Sequence, residues 1–167
     1  SGTTPIDMPV STGPFDVVPA VDLDPRDDVV EVRLEAKQAD IELSPGHVVH
    51  MWTYNGVFPG PRIEARAGDR VRVTFANSLP EPTTIHWHGL RVPSEMDGVE
   101  AVQKPIQPGE SFQYDFVVPD AGTFWYHSHF LSSEQLARGL YGVLVVEERD
   151  PVKVDRDLVL VVDDWRL

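Results

Sequence analysis

The sequence predicts an all-β domain, a sandwich or barrel of about eight to ten short strands with one short helix. Three observations carry this. Apolar and polar residues alternate over several short stretches, Pro/Gly turns separate those stretches, and helix-start signals occur once, near Ser132. Residues 1–27 stand apart from the pattern. They hold Pro5, Pro9, Pro14, Pro19 and Pro25 with little periodicity, and are expected to form an extended arm before a domain spanning 28–167.

From Val29 the alternation begins. Val30, Val32 and Leu34 interleave with charged residues, and Ala39, Ile41 and Leu43 repeat the habit, as half-buried strands do. Ser44-Pro45-Gly46 is a turn, and Val48 to Tyr54 returns as the second arm of a hairpin. Phe58-Pro59-Gly60-Pro61 predicts a rigid turn, and Ile63 to Arg66 a short strand. Val71, Val73 and Phe75 alternate with Arg70, Arg72 and Thr74 in a two-faced strand; Phe112, Tyr114 and Phe116 mark another. Leu90 to Lys104 reads as an irregular loop. Ser132 or Ser133 is the expected N-cap of a helix running to about Leu140. Tyr141–Val146 and Leu158–Val162 are continuous apolar runs, expected as buried strands.

Two motifs carry chemistry. Thr84 to Gly89 reads Thr-Ile-His-Trp-His-Gly, and Phe124 to His129 reads Phe-Trp-Tyr-His-Ser-His; together they hold four of the six histidines. In a strand, residues i and i+2 face the same way, roughly 6.5 to 7 Å apart. Each His-x-His clip therefore sends two imidazoles to one face, and two such strands side by side would converge four nitrogen donors on one spot. Imidazole suits zinc, copper, iron and nickel, and affinity peaks at copper. One tetrahedral zinc could use all four, with bonds of about 2.0 Å. The wide spacing within a clip better fits neighbouring ions, which lie roughly 3.5 to 4 Å apart in multi-metal sites. A lone clip is commonly an ordinary strand pair; two clips in aromatic strands are not. His47 and His50 have opposite parity and no partner at i+2, and read as ordinary strand or turn residues.

His86-Trp87-His88-Gly89-Leu90 and Trp125-Tyr126-His127-Ser128-His129 resemble the first two copper motifs of the multicopper oxidases, the laccase-like family. The resemblance extends to Tyr54-Asn55-Gly56-Val57-Phe58-Pro59-Gly60-Pro61, Ala67-Gly68-Asp69-Arg70, Asp97-Gly98, Pro119-Asp120-Ala121-Gly122-Thr123 and Leu160 to Trp165. The chain is similar to the N-terminal cupredoxin domain of three-domain bacterial enzymes, which implies a Greek-key cupredoxin topology and a periplasmic or secreted location. It also implies copper as cofactor and reduction of dioxygen to water at a trinuclear cluster shared with another domain. By residue, His86 matches a ligand of the type 2 copper, and His88, His127 and His129 match ligands of the type 3 pair. Asp97 matches an acidic residue near the cluster that relays protons; on its own it is a loop Asp before Gly, a common turn pair. Trp87, Trp125 and Tyr126 are expected to pack the core.

One departure weighs against activity of this chain alone. A blue (type 1) copper needs a Cys thiolate, and the chain has no cysteine. The expectation is half a trinuclear site that is inactive in isolation and completed by the remaining cupredoxin domains or another chain. The start at Ser1-Gly2 without Met suggests a processed or engineered beginning. Two other classes stay open: a stand-alone copper-binding or storage module, and a zinc hydrolase using three histidines with Asp97 as general base.

Composition bounds these readings. The chain has 167 residues, enough for one domain with a real core. Its 27 acidic and 14 basic residues give a net charge of −13, which argues against nucleic acid or anionic membrane as partner. No stretch approaches the roughly 18 apolar residues of a membrane span. A face that meets other domains is expected to carry uncovered apolar residues and to permit self-association.

Overall fold

The computed structural model describes residues 17–165. Two four-stranded sheets pack face to face. One has the order β2 (His47–Tyr54), β1 (Val29–Ser44), β4 (Arg70–Asn77), β6 (Ser111–Val117). The other has the order β3 (Gly60–Arg66), β8 (Tyr141–Glu147), β7 (Gly122–His127), β5 (His86–His88). A 3-10 turn at Ser94–Met96 and one helix, α1 (Ser132–Ala137), complete the elements among the described residues. This is the expected all-β, cupredoxin-like sandwich.

The alternation explains the layers. Val30, Val32, Leu34 and Ala36 of β1, Val71, Val73 and Phe75 of β4, and Tyr114 and Phe116 of β6 turn inward and are buried. Ile63, Ala65, Trp87, Tyr126, Leu144 and Val146 meet them from the other sheet. A slip of one residue in any of these strands would turn its apolar set to solvent, so burial of one face sets the register. β1 pairs antiparallel with β2 and parallel with β4, and β3 pairs parallel with β8. The strands are thus shared between sheets by long connections rather than by hairpins alone.

Trp87 is the centre of the core. Its ring lies 4.9 Å from Phe116, 5.4 Å from Tyr114 and 5.8 Å from Tyr126, centroid to centroid. Such aromatic contacts add to the area term. The packing has a cost, because Trp87 Nε1–H is buried without a hydrogen-bond partner among the described residues.

The structure departs from the sequence expectations in four places. The two predicted strands at Val30–Leu34 and Ala39–Leu43 are one sixteen-residue strand, β1; its second half leaves the β4 ladder and continues in the hairpin with β2. The helix is shorter than expected. Its N-cap is Leu131, in the left-handed conformation (φ 42°, ψ 49°) and without a capping side chain, rather than Ser132 or Ser133. Leu158–Val162 is no strand. Val159 and Val161 are half-buried, while Leu158, Leu160 and Val162 are exposed, with Val162 91% exposed. Apolar composition alone did not distinguish a buried strand from a segment whose edge has no neighbour among the described residues. Finally, β7 stops at His127, so the second clip is only partly in a strand.

Of the N-terminal arm, Pro5, Pro9 and Pro14 lie outside the described residues. Further along, Ala20 N–H donates to Arg62 O (2.7 Å), and Arg62 N–H donates to Val18 O (2.8 Å). The chain thus runs beside β3 before entering β1. No helix among the described residues is long and apolar enough to cross a membrane.

Truncating the central ring tests this account of the core. Trp87→Ala is expected to cost about 3–5 kcal/mol in urea unfolding. Trp87→Phe is expected to cost less than half of that, because it also removes the unpaired N–H.

Candidate metal centre

Three neighbouring segments bring the histidines together. β5 and β7 pair antiparallel with His86 opposite His127, Trp87 opposite Tyr126 and His88 opposite Trp125. Trp87 and Tyr126 point into the core, so His86, His88 and His127 share the outer face. Their ring centroids lie 5.3 to 5.6 Å apart. Ligand-capable nitrogens of these three lie within 4.8 Å of one another. His129 lies two residues beyond the end of β7; its ring centroid is 5.2 Å from that of His86 and 6.3 Å from that of His127. It joins the group as an outer member.

Hydrogen bonds orient the rings. His86 Nδ1 donates to the Asp97 carbonyl at 2.8 Å, and His127 Nδ1 donates to the Ser128 carbonyl at 2.9 Å. A carbonyl accepts only, so Nδ1 carries the proton in both rings and Nε2 is left with its lone pair. His88 is turned the other way, with Nδ1 3.2 Å from His127 Nε2. With His127 Nδ1 carrying its proton, Nε2 accepts from His88 Nδ1–H, and a metal held by these rings would have to take the place of that proton. His127 is the most buried of the four. Loss of hydration pulls its pKa down to about 4, helped by the nearby His86, His88 and His129, so it is a neutral donor at ordinary pH.

Asp97 meets the cluster through His86. Besides the carbonyl contact, its Oδ1 lies 3.3 Å from His86 Nδ1, and its side chain is 30% exposed. The loop is drawn in by Gly98, whose N–H donates to Gln103 Oε1 (2.9 Å). Gln103 Nε2 in turn donates to Tyr114 Oη, which also accepts Ile85 N–H. Burial pushes the Tyr114 hydroxyl up to about 12 and keeps it protonated. Gly98 has φ +74°, and a Cβ there would stand 1.9 Å from Ile85 O. The glycine is what lets the Asp97 loop press against the backbone that carries His86.

Trp125 differs from the core role expected of it. Sharing parity with His127, it lies on the histidine face, stacked 4.1 Å from His127 and 4.8 Å from His88 between centroids and 37% exposed. That parity was available in the sequence. Gln103 and Gln135 carried no comparable signal, since a buried amide in a loop or helix looks like any other in sequence. His47 and His50 are exposed and far from the cluster in the β1–β2 hairpin, His50 beside Asp40 and His47 beside Ser44. A cavity of about 700 Å³ lies elsewhere, bounded by Phe58, Tyr141 and Trp165, with no histidine in its lining. The histidines sit on an open face instead. Three convergent imidazoles, two of them oriented by backbone carbonyls, fit a cation such as copper.

Gly98→Ala should destabilise the fold by about 2 kcal/mol or more. It should also weaken the His86–Asp97 hydrogen bond, seen as faster exchange of the His86 ring N–H by NMR; unchanged stability would contradict the close approach.

The arrangement has counterparts. A family profile described as "Multicopper oxidase" matches residues 35–151. The multicopper oxidase MmcO of Mycobacterium tuberculosis is 39% identical over 137 residues, covering 81% of this chain and 27% of the relative. The L-ascorbate oxidase of Nicotiana tabacum is 45% identical over 119 residues, 66% of this chain and 20% of the relative. Among solved structures, a multi-copper oxidase of Pseudomonas thermotolerans superposes with TM-score 0.71 at 56% identity, covering 74% of this chain and 30% of that one. A metallo-oxidase of Campylobacter jejuni gives TM-score 0.74 at 37% identity, with 81% and 30% covered. The chain thus spans about a quarter of the length of these relatives. With a family profile over most of its length and its four clip histidines gathered on one sheet edge, the chain belongs to the multicopper oxidase family.

Proposed function

We propose that this chain is the N-terminal cupredoxin domain of a laccase-like oxidase and supplies half of the histidines of a trinuclear copper cluster. In this reading His86 holds the type 2 copper, and His88, His127 and His129 belong to the type 3 pair. The single observation that carries it is the His86–His127 register of β5 and β7, which puts both clips on one open face. That face needs a second set of donors, and the exposed Trp125 and Leu131 beside it give a partner domain apolar surface to cover. The remaining cupredoxin domains, in the same or another chain, would bring those donors and the thiolate copper site at which a reducing substrate gives up its electrons. Coppers held by these histidines and their counterparts would supply the redox chemistry, in which dioxygen, four electrons and four protons give two waters.

The chain's own residues serve that reaction by placement. The carbonyls of Asp97 and Ser128 hold His86 and His127 with Nε2 outward. Trp125 covers the rings of His88 and His127 and limits water around them. The Asp97 carboxylate, half-exposed next to His86, is the group to pass protons from solvent toward the cluster. A periplasmic or exported setting, which the family resemblance implies, accompanies this reading.

Copper content tests it. In the complete oxidase His86→Ala and His127→Ala should each lower bound copper and reduce turnover by at least about a thousandfold. Full copper occupancy in both would sink the assignment. Asp97→Ala keeps the backbone carbonyl that holds His86, so copper should stay while oxygen reduction slows about ten- to a hundredfold. Native mass spectrometry of the isolated chain should show a folded species with weak copper binding and no oxidase activity. Tight stoichiometric copper in a dimer would favour a stand-alone copper-binding module.

A further inference from the structure

The second clip poses a geometric problem. β7 ends at His127, so Ser128 and His129 lack the sheet ladder that holds the first clip. Past that point the backbone bonds are long: Ser128 N–H to Leu140 O at 3.2 Å, and His129 N–H to Thr84 Oγ1 at 3.3 Å. Something other than the sheet must set the position of His129.

Gln135 is placed to do so. It is the buried residue of α1, fully enclosed, and both the oxygen and the nitrogen of its amide are hydrogen-bonded. Oε1 accepts from Ser128 Oγ at 2.5 Å and from Thr83 Oγ1 at 2.8 Å, and Nε2 donates to Pro82 O at 2.9 Å. Ser128 is the middle residue of the second clip. Pro82 and Thr83 lead directly into the first. One side chain therefore ties the approach to His86 to the residue between His127 and His129. Six-residue α1 could not hold this place by its own propensity, and its exposed Leu131 cap adds no side-chain bond. The buried amide anchors the helix, and the helix presents the amide.

We infer that Gln135 is a positioning residue of the metal centre, a latch that fixes the relative placement of the two histidine clips and of His129 in particular. The latch is a property of this chain. Its consequence for copper rests on the ligand assignment proposed above. An apolar replacement leaves the Pro82 carbonyl unpaired and removes the acceptor shared by Thr83 and Ser128, which keep only longer contacts of 3.2 to 3.4 Å, so the segment loosens.

The test is amide hydrogen exchange by NMR on the metal-free chain, comparing wild type with Gln135→Met. The expected result is a loss of protection at Ser128 and His129 of at least about tenfold, with Leu144 and Val73 in the sheets unchanged. Unchanged protection at His129, or an equal loss at all four amides, overturns the latch; the latter is what simple loss of stability produces. Where Gln135→Met does not fold, Ser128→Ala deletes one leg of the network and is read the same way. A second arm uses the complete oxidase. Gln135→Met should lower copper content as His129→Ala does, with turnover reduced about tenfold or more. If His129→Ala itself keeps all its copper, the ligand assignment fails, and the exchange result still decides the latch.

Discussion

The pairing of β5 with β7 is the constraint on which the site depends. A three-residue strand at a sheet edge has little stability of its own. Here it is held because Trp87 and Tyr126, facing each other across the ladder, are sunk into the aromatic core. Burial of that pair decides which way the intervening residues point. The same alternation that puts Trp87 inside puts His86 and His88 outside, so core packing and ligand presentation are one choice made twice. The apolar interior thereby serves as the reference surface for the chemistry.

Around this pairing the polar interior is arranged in two buried networks. Tyr114 and Gln103 connect the opposite sheet and the Asp97 loop to the strand bearing His86. Gln135 connects α1, Thr83 and Ser128. Each network is closed by an amide that both donates and accepts, as required of groups that cannot reach water. Neither amide touches a ligand ring. Their effect is to remove slack from loops that a sheet does not restrain.

Much of this was legible in the residues. Period-two alternation marked β1, β4 and β6 because each has one wet and one dry face. The two clips were visible because histidine is uncommon in such strands and parity dictates its side. What was not legible has physical causes. Leu158–Val162 has the composition of a buried strand, yet burial requires a neighbour, and composition carries no information about neighbours. The cap of α1 is Leu131 in the left-handed conformation rather than a serine, and no side chain caps the helix. Trp125 looked like core because it is large and apolar, although its parity with His127 already placed it outside. The networks through Gln103 and Gln135 depend on contacts 5 to 53 residues apart in the chain, and local pattern cannot see them.

The order of strands in the second sheet carries a consequence for how the molecule is made. β5 is held by β7, β7 by β8, and β8 by β3, so the sheet is built around β8, the last strand among the described residues. As a ribosome releases the polypeptide, the His86–His88 segment emerges well before the strand that its support requires. Closing the β3–β8 pair spans about eighty residues, a slow step relative to hairpin formation. The edge strand that carries His86 and His88 is therefore among the last parts of this sheet to gain its full support.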